Sequence, residues 1–284
     1  MARWPTKRER EQIMQQIKMF ALVGSLAAVV LVTVAFASAS GSRTQSRRGS
    51  PNGPGFAVIE LFTSEGCSSC PPADELVARV QKEDKDRPVY ILAYHVDYWN
   101  RLGWKDAFSK TAYSDRQRQY ASWLNLQSVY TPQIVVNGRK EFVGSEAATL
   151  HSTIERDLQA EGQGPAQGQA APARLSLSNL KKDGNQLEWD WQTEGIKKGL
   201  SLVVALVQRS AVTNVKAGEN DGHTLSHVQI VRNFQASALN GKNNGAGHMD
   251  WPAGVDPGET EVIAFLQKDD NGEIVAAMRS GVAN

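Results

Sequence analysis

Three regimes of hydrophobic patterning divide this chain. From Met19 to about Ala37 the residues are apolar with no polar face between them. Such a run does not fit the stripe that an amphipathic helix lays on a soluble core. From Phe56 to Leu158 short apolar runs alternate with helical patterns, and beyond Arg174 the period drops to two, as in half-buried strands. Two segments have no apolar period: 40–55, rich in Ser, Arg, Gly and Pro, and 161–173, rich in Gly, Gln, Ala and Pro. The first reads as a flexible tether and the second as a linker.

Within the middle regime, Phe56–Phe62 reads as a strand and Pro71–Val80 as the opening of a helix. Pro88–Val96 has the continuous apolar character of a buried parallel strand. Trp99–Leu124 is polar and helical in character, and carries Trp104, Phe108, Tyr113, Tyr120 and Trp123. Gln133–Val143 reads as two strands joined at Asn137-Gly138. Gly144–Leu158 closes with a helix that Ser145 can cap. The order β-α-β-α-β-β-α predicts an α/β, thioredoxin-like domain over 56–160. Six strand-like segments follow, from Arg174–Ser178 to Glu273–Met278, with turns at 182–185 and 270–272. They predict a small all-β, sandwich-like domain over 174–284.

The N-terminal run changes the setting. Lys7, Arg8, Arg10 and Lys18 precede it, and Ala37-Ser38-Ala39 ends it with a small-x-small pattern. Residues 1–39 therefore read as a signal peptide, and residues 19–37 are also long enough to anchor the chain in the inner membrane. Either outcome exports the rest of the chain, to the periplasm or beyond. A formal net charge of +1 gives no case for a nucleic-acid partner.

Export sharpens the meaning of the only two cysteines, Cys67 and Cys70. Exported proteins use disulfides for stability, but a loop this short removes little unfolded-state entropy. Chemistry is the better reason for the pair. At a helix start, free N–H groups and the helix dipole favour a thiolate. Cys67 is expected at the exposed end as the nucleophile, with Cys70 resolving the mixed disulfide. Ser68 and Ser69 hydroxyls support a thiolate, whereas Glu60 and Glu65 oppose one, so oxidant or reductant stays open. Pro132 stands at a strand entry, where a residue without an N–H needs a reason. In a thioredoxin-like arrangement it is a cis-proline beside the CxxC, and Thr131 and Pro132 position the substrate.

The expected activity is thiol–disulfide exchange with protein thiols and disulfides, with no cofactor and no assigned metal ligand. The rival is Cu(I) binding or delivery, with His95 or His151 reaching the thiolates, or partner binding without turnover. His95 reads as a hydrogen-bonded structural histidine. His223, His227 and His248 read as surface and turn histidines.

The stretch from Glu60 to Asp74, ELFTSEGCSSCPPAD, resembles the signature of a bacterial secreted protein family of unknown function with a thioredoxin-like fold. His95–Asn100, Tyr130–Gln133, Gly218-Glu219-Asn220, Leu225, His227 and Val231-Arg232 resemble its further landmarks. The resemblance covers about residues 55–282. It implies a thioredoxin-like fold, export, and Cys67, Cys70 and Pro132 as the matching positions, with no established substrate. The long aromatic segment before Thr131 departs from thioredoxin proper.

Overall fold

The computed structural model describes residues 7–8, 55–159 and 173–282. The expected signal or anchor, the tether and the linker fall almost wholly outside these residues. Among the described residues, no helix is long and apolar enough to cross a membrane.

Strand β1 (Ala57–Thr63) is buried along its whole length. Its alternation sends Ile59 and Leu61 to one face and Val58 and Phe62 to the other. A crossover through helix α1 (Pro71–Glu83) brings β2 (Val89–His95) alongside in parallel, from Ala57↔Val89 to Thr63↔His95. On the other edge of β1 lies the antiparallel hairpin of β3 (Gln133–Val136) and β4 (Lys140–Val143). Asn137 and Gly138 both take positive φ at its turn, the conformation that an Asn-Gly pair adopts at little cost. Helices α1 and α3 (Ala147–Gln159) cover one face through Leu76, Val77, Val80, Leu150 and Ile154. Helix α2 (Thr111–Trp123) covers the other through Tyr113 and Tyr120.

The second half supplies β5 (Arg174–Asp183), β6 (Gln186–Glu194), β7 (Leu200–Asn214), β8 (Thr224–Ala238), β9 (Asn244–Asp250), β10 (Thr260–Lys268) and β11 (Ile274–Ser280). The expected thioredoxin-like domain followed by a separate sandwich-like domain is overturned here. Strand β8 runs parallel to β2, in register at Ala93↔Ile230. The result is one mixed sheet of eight strands, ordered β11-β10-β7-β8-β2-β1-β3-β4, with a three-stranded sheet β5-β6-β9 beside it. The reason is burial. Six of the seven residues of β2 are buried, and the seventh is half-buried, so this strand needs a neighbour on each edge as well as cover on each face. Periodicity reveals that a strand is buried but not which strand pairs with it.

Strand β7 serves two cores. Val203, Ala205 and Val207 face the α2 side, whereas Leu202, Val204 and Leu206 meet Leu177, Leu187, Trp189 and Met249 of the small sheet. A buried polar knot then ties both halves together. Glu60 on β1 receives the Arg116 guanidinium through Nε and Nη2, and the Tyr120 hydroxyl as well. Gln267 on β10 donates to Tyr120 Oη at 2.8 Å. The guanidinium carbon lies 5.1–5.7 Å from the ring centroids of Tyr94, Tyr120, Phe234 and Phe265. Removing one partner of a buried pair leaves the other charge uncompensated. Arg116→Met is therefore expected to cost about 3–5 kcal/mol in urea denaturation. Unfolding should follow one coincident transition by far-UV circular dichroism and tryptophan fluorescence. A loss under about 1 kcal/mol, or two separated transitions, contradicts this packing.

Candidate functional site

The end of β1 turns through Ser64-Glu65-Gly66 into the cysteine pair, and α1 begins straight after it. Cys70 is the N-cap of α1, and Pro71 and Pro72 fill its first two positions, where the absent N–H groups would have had no partner. Cys70 O accepts from Ala73 N at 2.9 Å and Asp74 N at 3.2 Å. Cys67 and Cys70 form a disulfide, with Cα atoms 5.4 Å apart. Both cysteines are 0% exposed, which corrects the expectation of an exposed Cys67. Ser68 and Ser69 between them are the solvent-facing pair.

Thr131 and Pro132 do lie beside the cysteines. Thr131 Oγ1 donates to Cys67 Sγ at 3.3 Å and accepts from Trp99 Nε1 at 2.8 Å. Ser69 Oγ is 3.4 Å from Cys67 Sγ. The Thr131–Pro132 peptide is cis, and Pro132 is buried against the start of β4's following turn, where Gly144 N donates to its carbonyl at 2.9 Å.

The second half reaches the same loop through the β7–β8 turn. Glu219 Oε2 accepts from Ser68 N at 3.0 Å and from Ser68 Oγ at 2.7 Å. Asn220 Nδ2 donates to Glu65 O at 2.8 Å and to Cys67 O at 3.0 Å. The Ser68 hydroxyl and N–H hold the Glu219 carboxyl below its ordinary range.

Glu65, two residues before Cys67, belongs to a buried cluster of ionisable groups from five places in the chain: Glu65, Asp74, His95, Asp106 and His227. His95 Nδ1 is 2.7 Å from Asp106 Oδ2, which also accepts from Glu65 N at 2.9 Å. Glu65 Oε2 accepts from Trp104 Nε1 at 2.7 Å, and its Oε1 lies 3.4 Å from His227 Nε2. The His95 and His227 rings are 4.8 Å apart. His227 is thus a core residue, which corrects its reading as a surface histidine. The acidic neighbours also resolve differently. Glu60 is neutralised by Arg116, and Glu65 faces His227 and Trp104. No three His, Cys, Asp or Glu side chains converge to hold a metal ion among the described residues, so the Cu(I) reading gains no support from this geometry.

Burial raises the Asp74 carboxyl from 3.8 to about 6, against the pull of His227 and His95. Burial alone would lower the His95 pKa, but Asp106 more than reverses it and the net shift is upward. Asp106 is held low by the same pairing, despite its burial. Folded Asp74 therefore binds a proton more tightly than unfolded chain does, so its contribution falls as pH rises from about 4 to about 6. His95 acts in the same sense at higher pH: its stabilisation is full below the unfolded pKa and is lost above the raised one. Asp106 acts oppositely, losing its contribution as pH falls. Asp74→Asn keeps an acceptor for Thr63 Oγ1, which donates to Asp74 at 3.2 Å. It should raise stability at pH 8 by up to about 3 kcal/mol and by much less at pH 4.5, in urea titrations at both pH values. A larger loss at pH 8 than at pH 4.5 contradicts the assignment.

The most informative solved relative is a structural-genomics target from Agrobacterium tumefaciens. It shares 30% identity, covers 80% of this chain and 94% of its own, and superposes with a TM-score of 0.58. Two others are a DUF3823 family protein from Bacteroides ovatus and a domain of the outer membrane lipoprotein Omp28 from Porphyromonas gingivalis. The first is 9% identical, covers 40% of this chain and 57% of its own, and has a TM-score of 0.26. The second is 10% identical, covers 39% and 88%, and has a TM-score of 0.24. Both lie too far from this chain to bear on its fold. No curated protein matches. The family described as "Protein of unknown function (DUF1223)" matches residues 58–267, and this chain belongs to it.

Proposed function

We propose that this chain is an exported, thiol–disulfide oxidoreductase-like protein whose Cys67–Cys70 pair exchanges with thiols and disulfides of other proteins. The observation that carries the reading is the pair itself. The only two cysteines of the chain are joined across a four-residue loop at the start of α1, with the Thr131 hydroxyl on Cys67 Sγ. A crosslink over so little chain contributes little to stability, whereas its position at the positive end of the α1 dipole favours a thiolate once it opens. The N-terminal residues 1–39 support export to a compartment where disulfides persist.

In the exchange, a substrate thiolate attacks Cys67 Sγ. The bond between Cys67 and Cys70 breaks, and Cys70 leaves as a thiolate that takes a proton. A second substrate thiolate then attacks the mixed disulfide, and Cys67 leaves in turn. The substrate dithiol is oxidised and the cysteine pair reduced; run backwards, the same steps reduce a substrate disulfide. Thr131 steadies negative charge on Cys67 Sγ through its hydroxyl, and Pro132 holds it in place.

The test is trapping. Cys70→Ser, expressed in the exported compartment, should accumulate mixed disulfides with other proteins on Cys67. They should disappear under reducing electrophoresis and be absent from the double variant that also carries Cys67→Ala. Thr131→Val should lower the yield several-fold. A Cys70→Ser protein that carries no adducts, and a thiol no more reactive than free cysteine at neutral pH, contradicts the reading.

A further inference from the structure

The two cysteines are 0% exposed, yet exchange needs a sulfur from outside to reach Cys67. Some part of the cover must open, and the parts are not equally fixed. Thr131 leads directly into β3, and β3 is paired on both edges, by β1 and β4. The β7–β8 arm is different. The pairing of β10 with β7 stops at Gln208, and β2 meets β8 in register only at Ala93↔Ile230. From Arg209 and Gln229 outward the arm is a two-stranded ribbon ending in the turn from Val215 to His223. A two-stranded ribbon is marginal in water by itself, and one flank of this one carries Val212 at 67% exposure. Its place against the cysteine loop depends on what its inner face and tip hold on to. The inner face holds through Val228, packed on the α1 core, and His227 in the buried cluster. The tip holds through Asn220 and Glu219 on the cysteine loop. Of these, only the Glu219 bonds to Ser68 join two exposed residues, so water competes there and the bonds break at least cost.

We propose that the tip of the β7–β8 arm is a lid over the Cys67–Cys70 disulfide, latched by Glu219 on Ser68, and that thiols reach the pair only when this latch releases. The proposal deepens the exchange reading above and rests on it for its biological sense. The latch also places a negative charge beside the loop that an incoming thiolate must approach. When it releases, the Ser68 N–H and hydroxyl become free to donate to an approaching substrate.

The experiment measures how fast the disulfide of the full chain is reduced by two probes. One is dithiothreitol, whose thiolate attacks a sulfur, opens the pair, and ends as a cyclic disulfide while the cysteines end as thiols. The other is the uncharged reductant tris(hydroxypropyl)phosphine, which attacks a sulfur through its phosphorus and ends as the phosphine oxide with an oxygen from water. Glu219→Ala should speed both reactions by a common factor, roughly three- to tenfold, the range a charge-assisted bond on an exposed latch commands. Glu219→Gln keeps an acceptor for Ser68 and should show a smaller common rise. Ser68→Ala removes one donor without changing charge and should also accelerate both, which keeps the test open if Glu219→Ala folds poorly. An unchanged phosphine rate in Glu219→Ala and Ser68→Ala overturns the lid. A rise with dithiothreitol alone also overturns it, because that reports only lost charge repulsion. These rates do not depend on whether other proteins are substrates, so a failed lid and a failed exchange reading give different results.

Discussion

Strand β2 has a strand neighbour on each edge, and the rest of the structure follows from that. It is buried on both faces, with β1 parallel on one side. Its other side meets β8, from the far half of the chain, at Ala93↔Ile230. A parallel strand of this kind cannot stand at a solvent edge, where its N–H and C=O groups would have only water and its apolar faces no cover. Recruiting β8 brings β7, β10 and β11 with it. It also swings the β7–β8 arm across the end of β1, where the cysteines are. The site is therefore made by both halves: the cysteines and Thr131 from the first, His227, Glu219 and Asn220 from the second.

The same closure explains why ionisable groups are buried there. The loop that follows β1 leaves carbonyls at the top of the sheet, and Asn220 of the arm donates to two of them, Glu65 O and Cys67 O. Buried charges are tolerated only with partners. Asp106 answers His95 and the Glu65 amide. Glu65 answers Trp104 and His227. Among the cluster's carboxyls Asp74 has the fewest answers, with one hydroxyl bond from Thr63, and it is the one held toward the neutral form. Deeper in the sheet, Glu60 and Arg116 do the corresponding job within an aromatic shell. The two acidic residues preceding the cysteines in sequence, Glu60 and Glu65, are thus engaged elsewhere, and the carboxylate bonded to Ser68 between the cysteines is Glu219, far away along the chain.

Local features were legible in the sequence and partners were not. The Asn137-Gly138 turn, the helix opening at Pro71 and the cysteine pair are set by neighbours in the chain, and local rules found them. Strand β9 escaped because its alternate positions include Gly245 and Gly247, which read as turn. They are glycines because the indole rings of Trp191 and Trp189 lie over them, so that a Cβ on Gly247 would come within 2.6 Å of Trp189. His227 read as a turn histidine because nothing near it in sequence signals that β8 is a central strand. The eight-stranded sheet was missed for the same reason: each strand was visible, but the β2–β8 pairing is a long-range fact that periodicity does not encode. Glu219-Asn220 did carry a signal, as part of the resemblance in the second half, but only the fold shows what it touches.

On the proposed reading, the buried pair is there to exchange and not to hold the chain together. The reduction potential of the Cys67–Cys70 couple, measured on the full chain by equilibration against glutathione or dithiothreitol, separates the two roles. Exchange predicts a value between about −120 and −270 mV, the span of thiol–disulfide exchange proteins. A value below about −300 mV, where structural disulfides lie, contradicts an exchange role.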